Sequence, residues 1–396
     1  MNILMVSDVY FPRVNGVSTS IATFRGSLRA LGHESTLIAP CYATLADDEA
    51  GILRIPSRYL FLDPEDRMLR TGDILALEQT LASRRFDLLH VQTPFVAHHV
   101  GVKLARRLGI PAVETYHTYF EEYLYHYVPF LPKPLLKSMA RALTRRQCNR
   151  MEAVIVPSSA MHEVLVGYGV RVPVSVIPTG IEPGQLPPGS RERFCSTHGI
   201  DPSRPMLVHI GRIAHEKNIA FLLDVLLEVR RTVPGVLLVI AGEGPALLSL
   251  RRKALELGLE RHVRFLGYLK RGSELSDCYC AGDVFVFASA TETQGLVLLE
   301  AMTLGVPVVS TAVMGTRDIL AAGKGALVAE PSVPDFAANV LRLLGDPPLR
   351  ERLGAEARLH AAGWSAESMA QRLVEFYQQV IASRCPSRTM IERMNY

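Results

Sequence analysis

Short, mostly apolar runs of four or five residues recur along this 396-residue chain, and longer segments with helical spacing separate them. That alternation constrains the fold more than any single motif. Runs without a polar residue at every second position suit strands covered on both faces, and strands joined through helices pair in parallel. The class read from the chain is therefore α/β, with parallel sheets between layers of helices. In the first half the strands are expected at Ile3 to Val6, Ser35 to Ile38, Leu88 to Val91, Ala112 to Thr115, Ala153 to Val156 and Val174 to Ile177. The second half repeats the pattern at Met206 to Ile210, Val236 to Ile240, Val263 to Leu266, Val284 to Ala288, Val306 to Ser310 and Gly325 to Val328. Val17 to Leu31 reads as a helix stopped by Gly32.

Between the halves, four prolines and glycines fall in the six positions from Pro183 to Pro188. Regular structure is disfavoured there, and a domain boundary is expected. The organisation read from the chain is a first domain at 1–182, a linker at 183–203, a second domain at 204–365, a last helix at 366–383 and a tail at 384–396. Ser365 is an expected N-cap for that helix. An apolar content of 48% supplies large cores, and a net charge of +4 is too mild to imply nucleic acid. The six cysteines are scattered, and Cys278-Tyr-Cys280 lacks the spacing of a zinc or redox pair, so reduced thiols are expected. No metal-ligand spacing is found around His98, His99 or His126. The N-terminus reads as a buried strand rather than a leader, and no run of eighteen apolar residues exists.

Three turns after strands carry chemistry. Gly211-Arg212-Ile-Ala-His-Glu-Lys217-Asn218 stands between a strand run and a helix. Backbone amides in such a turn face an anion, and a forked guanidinium with a compact ammonium suits a pyrophosphate. Ala241-Gly242-Glu243-Gly244-Pro245 follows the next strand. Glu292-Thr-Gln-Gly-Leu-Val-Leu-Leu-Glu300 sets two carboxylates eight positions apart, the first on a loop and the second inside a helix. A loop carboxylate accepts hydrogen bonds from ligand hydroxyls, whereas one two turns in reaches only what lies along the helix flank. Neither GxxxxGK[ST] nor GxGxxG occurs, which disfavours a P-loop and a nicotinamide oxidoreductase. Taken alone, each feature also fits a solvated helix face, a surface charge or an ordinary turn glycine, and His117 at a strand end also fits a core or capping role.

Taken together, in order and at strand ends, these residues resemble glycosyltransferase family 4, whose members are retaining enzymes of the two-domain GT-B fold. The likeness is carried by Glu292 and Glu300, by Gly211-Arg212 with Lys217-Asn218, and by Pro12-Arg-Val-Asn15-Gly16-Val17. The turn Ala241 to Pro245 and Thr115-Tyr-His117-Thr118 complete it. The resemblance implies two Rossmann-like domains facing each other across a cleft, with the last helix crossing back onto an acceptor-binding N-terminal domain. It implies transfer of a hexose from a UDP- or GDP-sugar to an acceptor hydroxyl, with no cofactor or metal required. Arg212 and Lys217 would hold the diphosphate, Glu300 the ribose and Glu292 the sugar hydroxyls. Asn15, Gly16, Gly211, Gly242, Glu243, Thr293, Gln294, Gly295 and Leu296 would complete the donor site. His117 would lie near the reacting carbon, which makes His117, Arg212, Lys217 and Glu292 the implied catalytic set. Two departures stand out. Val313-Met314-Gly315-Thr316 replaces a common Gly-Gly turn, and Gln294 stands where an aromatic or small residue is common.

For the acceptor, five tyrosines lie between Tyr116 and Tyr127, and a basic helix is expected from Leu135. Leu135, Leu136, Met139 and Leu143 fall on one side of it, with Lys137, Arg141, Arg145 and Arg146 largely elsewhere. This suits either an anionic membrane surface or simple packing with solvated charges. The run from Thr115 to Tyr119 with Glu121, Glu122 and Tyr123 is similar to that of bacterial diacylglycerol glycosyltransferases. The expectation is a cytoplasmic, peripheral enzyme at the inner face of the membrane, with Tyr116, Tyr119 and Tyr123 toward a lipid or saccharide acceptor. A soluble or polysaccharide acceptor, a nucleotide-sugar epimerase and a non-catalytic nucleotide-sugar binder stay open.

Overall fold

The computed structural model describes residues 1–42, 50–60, 63–119, 121 and 132–384. The chain divides into two compact units, one built from Met1–Gly180 together with the segment starting at Ala366, the other from Ile181–Ser365.

The first unit holds β1 (Asn2–Val6), β2 (Glu34–Pro40), β3 (Ile52–Ile55), β4 (Ser57–Leu60), β5 (Asp63–Leu69), β6 (Leu88–Val91), β7 (Ala112–Thr115), β8 (Ala153–Val156) and β9 (Val174–Val176). Seven of them form one parallel sheet in the order β3-β2-β1-β6-β7-β8-β9, while β4 and β5 pair with each other antiparallel. β1 lies between β2 and β6 with Ile3 beside both Ser35 and Leu88, and Ile3, Leu4, Met5 and Val6 have no exposure at all. That double cover is why the strand reads as a continuous apolar run. Asp8, just past β1, accepts from the Thr93 hydroxyl at 2.8 Å and from the Ala97 amide at 3.1 Å, which caps the helix Val96–Leu108. The helix Ala366–Arg384 belongs to this unit. Its Met369, Leu373, Phe376 and Val380 share a core with Ile3, Met5 and Leu28. Tyr377 anchors it through its hydroxyl, 2.6 Å from His90 Nδ1, while His90 Nε2 meets the Thr115 hydroxyl at 2.7 Å.

The second unit holds β10 (Met206–Ile210), β11 (Leu237–Ala241), β12 (Val263–Gly267), β13 (Val284–Phe287), β14 (Val308–Ser310) and β15 (Ala326–Val328), all parallel, in the order β12-β11-β10-β13-β14-β15. Alternate residues serve the two faces. Met206, Val208, Leu237 and Val239 join one core, and Leu207, Leu238 and Ile240 the other. In each unit the chain winds away from its first strand in one direction and then in the other. Ligands of such sheets bind where that direction reverses, at the carboxyl ends of the strands.

One expectation needs correcting, and three strands add to those read from the sequence. β3, β4 and β5 were not foreseen from the apolar pattern. The stretch 183–203, expected as a linker, contains the helix Arg191–His198, whose Phe194 and Cys195 are buried in the second unit's core, and the units part at Gly180.

Candidate functional site

In the second unit the three glycine turns meet at the carboxyl ends of β10, β11 and β13, stitched by main-chain hydrogen bonds. Gly211 N–H donates to Ala241 O at 3.0 Å, Gly242 N–H to Gly267 O at 2.7 Å, and Ile213 N–H to Glu243 O at 2.8 Å. Gly242 has φ +134°, and a Cβ there would stand 1.9 Å from Gly211 O. Only glycine permits that approach. The loop bearing Glu292 is pinned in the same way: Gly315 N–H donates to Glu292 O at 2.8 Å, and a Cβ on Gly315 would lie 2.0 Å from Thr293 O. So Gly315, within a stretch marked as a departure from the family pattern, shapes the very loop that carries Glu292. Gly295, at φ +98°, opens the helix Leu296–Thr303, Gln294 beside it is buried, and Leu296 packs on the core.

The charged groups are arranged in pairs. Lys217, at the end of a short 3-10 turn, donates from Nζ to Glu292 Oε2, with both side chains largely enclosed. The two residues expected to take diphosphate and sugar hydroxyls are thus paired with each other. Glu300, buried on its helix, accepts from the Tyr279 hydroxyl on Oε2 at 2.7 Å and from Arg271 Nη2 on Oε1 at 3.0 Å. Burial, and then the Glu300 charge, push the Tyr279 hydroxyl far up, so it stays a donor. Each Glu300 oxygen keeps one lone pair, which suits two neighbouring hydroxyls. Arg271 and Tyr279 were missed in the sequence. Their signal is weak, since neither lies in a glycine turn and both reach Glu300 only through the fold. Arg212 is half-buried directly after Gly211.

In the first unit, His117 follows β7, half-buried, with Nε2 3.4 Å from Gln92 Oε1. Burial lowers its pKa to about 4, so the ring is neutral at physiological pH. Asn15 accepts from the Ser18 amide at 2.8 Å and caps the helix Gly16–Ala30, so its side chain is used as a cap. Gly16 has nothing within 4 Å of where a Cβ would stand.

The acceptor residues divide differently from expectation. Tyr116 is buried with its hydroxyl 3.0 Å from the Thr144 hydroxyl, holding the helix Lys133–Cys148, and is no part of an open mouth. Tyr119 is half-buried, and Tyr123 lies outside the described residues. Arg141 clamps Glu121 with two hydrogen bonds of 2.7 and 2.9 Å, Lys137 stands 3.5 Å from the same carboxylate, and Tyr168 donates to it at 2.6 Å. The Arg141 guanidinium first, then Tyr168 and Lys137, hold Glu121 down at about 2. Two of the four expected membrane cations are therefore engaged inside the unit. The other two, Arg145 and Arg146, are exposed. Among the leucines, Leu136 turns inward, while Leu135, Met139 and Leu143 form an outward stripe, each 49–52% exposed. Among the described residues there is no cluster able to hold a metal ion, and no helix is long and apolar enough to cross a membrane.

The chain resembles known proteins over nearly its whole length. A family model described as Glycosyltransferase Family 4 matches residues 14–185, and one described as Glycosyl transferases group 1 matches 190–360. The chain is 33% identical to an alpha-monoglucosyldiacylglycerol synthase of Streptococcus pneumoniae, over 97% of this chain and 87% of the relative. It is 27% identical to a GDP-mannose-dependent alpha-mannosyltransferase of Mycobacterium tuberculosis, over 97% and 98%. Among solved structures, HepE of Anabaena with UDP and glucose superimposes with a TM-score of 0.76 over 96% of this chain and 100% of that one, at 18% identity.

Proposed function

Because the chain belongs to glycosyltransferase family 4 and has its GT-B fold, we propose that it moves a hexose from a UDP- or GDP-sugar to a hydroxyl of a membrane lipid, diacylglycerol first, with retention at the anomeric carbon. The observation that carries the lipid acceptor is the near full-length likeness to a glucosyldiacylglycerol synthase. The outward stripe of Leu135, Met139 and Leu143 beside Arg145 and Arg146 supports it, since apolar side chains edged by arginines suit the surface of an anionic bilayer.

In this reading the donor binds the second unit and exchanges one set of partners for another. Its sugar hydroxyls take Glu292, its diphosphate takes Lys217 and Arg212, and its ribose takes the open lone pairs of Glu300. Charge develops on the diphosphate as the glycosidic bond breaks, so the two cations act most strongly in the transition state. Double displacement would need a carboxylate on the far face of the sugar. Glu292 is better used on hydroxyls, which leaves a front-face route in which the departing phosphate oxygen receives the acceptor proton. A neutral His117 offers an acceptor hydrogen bonding, not charge.

The test is a panel of UDP- and GDP-sugars incubated with the purified protein, with and without diacylglycerol in anionic vesicles, read as nucleoside diphosphate release and lipid products by mass spectrometry. One donor yielding one glycolipid is the expected result. Donor turnover indifferent to lipid would instead point to a soluble or polysaccharide acceptor, or to epimerisation.

A further inference from the structure

His209 lies inside β10, two residues ahead of Gly211, with no exposed surface. Its ring is stacked on Phe287 with centroids 5.7 Å apart and planes 16° from parallel. Nδ1 stands 3.1 Å from the carbonyl oxygen of Val286. A carbonyl only accepts, so Nδ1 carries the proton, and a neutral ring then leaves a bare lone pair on Nε2. That Nε2 is buried and has no hydrogen-bond partner. It faces the glycine turn, 3.9 Å from where a Cβ on Gly211 would stand. The ring also feels the charges of Lys217 and Glu292, and burial lowers its pKa to about 4, so it is neutral at physiological pH. An orphaned acceptor destabilises the fold that keeps it, and the two ions whose charges the ring feels are those that a donor would separate.

We infer that His209 is a positioning residue for Lys217: once the donor's hydroxyls take Glu292, the Lys217 ammonium turns one N–H onto His209 Nε2 and keeps the others for the diphosphate. The inference rests on reading this crevice as the donor site. Its physical content is the difference between two acceptors. Glu292 holds Lys217 by cancelling its charge. A neutral imidazole nitrogen holds the ammonium and leaves that charge whole for the leaving diphosphate. A ring kept only for packing would be replaced by phenylalanine without consequence for turnover.

The experiment compares His209→Phe, which keeps the stacked ring and removes the lone pair, with His209→Gln, which restores an acceptor. Donor turnover is measured with the sugar nucleotide that proves active, UDP and GDP binding by calorimetry, and stability by thermal melting. His209→Phe is expected to lower kcat about tenfold with the donor KM within twofold and a melting temperature equal to or above that of the parent. His209→Gln is expected to recover most of the lost kcat. In a Lys217→Ala background, His209→Phe should cost nothing further, because the two act as one unit. Wild-type kcat in His209→Phe, a parallel fall in stability without rescue by glutamine, or strict additivity with Lys217→Ala would each overturn the inference. Failure of the donor-site reading is separable, because Lys217→Ala would then bind UDP and GDP and turn over donor like the parent.

Discussion

Gly16 and Gly242 both read from the sequence as turn glycines, and nothing there ranks them. The structure separates them by what surrounds a missing Cβ: open space at Gly16, and the Gly211 carbonyl 1.9 Å away at Gly242. Gly242→Ala should therefore displace the turn bearing Arg212, lowering donor kcat/KM more than tenfold and costing about 1–3 kcal/mol of stability through backbone strain. Gly16→Ala should leave the melting temperature unchanged. If the loop must approach the phosphates closely, the same change will lower UDP or GDP affinity severalfold in calorimetry; unchanged affinity would make Gly16 only the first residue of its helix. Positions of charged residues were similarly legible where they followed a glycine turn, as with Arg212 and Lys217. The pairing of Lys217 with Glu292 was not, because the two are far apart in sequence and meet only through the parallel order of β10 and β13. Arg271 was hidden for the same reason: its charge acquires meaning only beside Glu300.

The helix Lys133–Cys148 shows how an element's faces can be misread from composition. Leu135, Leu136, Met139 and Leu143 are neighbours in the sequence pattern, but successive residues turn by about 100° on a helix. Leu136 consequently falls with Ala140 and Thr144 on the buried side, and the other three remain outside. Lys137 and Arg141 are one turn apart and converge on Glu121, a partner from outside the helix that periodicity could not reveal. Glu121 thus acts as a neutralising counter-ion, fully charged at any physiological pH because its pKa is held at about 2. Glu121→Gln removes one negative charge from beside the basic helix and releases both cations. Binding to vesicles rich in anionic lipid should tighten about fivefold, in line with ~1 kcal/mol per basic charge at such a surface, and the gain should fade as salt rises. Thermal melting should drop by a few degrees as the clamp is lost. Cosedimentation in low and high salt checks this, and unchanged binding would mean that the helix does not face lipid.

At the scale of the whole molecule, the two parallel sheets were legible because strands covered on both faces must be apolar almost without interruption, as Leu237–Ala241 and Ile3 to Val6 are. The antiparallel pair β4 and β5 was not: Asp63-Pro-Glu-Asp-Arg-Met-Leu69 carries charges and a proline, so neither an apolar run nor a regular alternation marks it as a strand. The attachment of the last helix to the first unit could come only from the family resemblance, since periodicity shows that a helix has a buried face but not what covers it. Each unit also encloses a histidine that the fold keeps neutral, and this gives the protein a defined response to acid. Burial lowers His90 to about 3 and His117 to about 4 in the first unit, and His209 to about 4 in the second, against an ordinary value of 6.5. Below pH 6.5 the unfolded chain takes up protons at these positions and the folded chain does not, so stability is complete above that pH and falls as acid is added toward pH 4 and 3. Shifts of this size correspond to roughly 3–5 kcal/mol for each ring. Glu114 acts in the opposite sense. Burial raises its carboxyl despite His98 beside it, so its charging weighs against the fold as pH rises, and acid relieves that cost within the first unit. The second unit has no such offset at His209. Urea unfolding followed between pH 7.5 and 4 should show stability lost as acid is added, and His209→Phe should reduce that loss while leaving the contributions of His90 and His117 in place. A stability that stays level from pH 7.5 to 4 would mean that the fold does not hold these rings neutral.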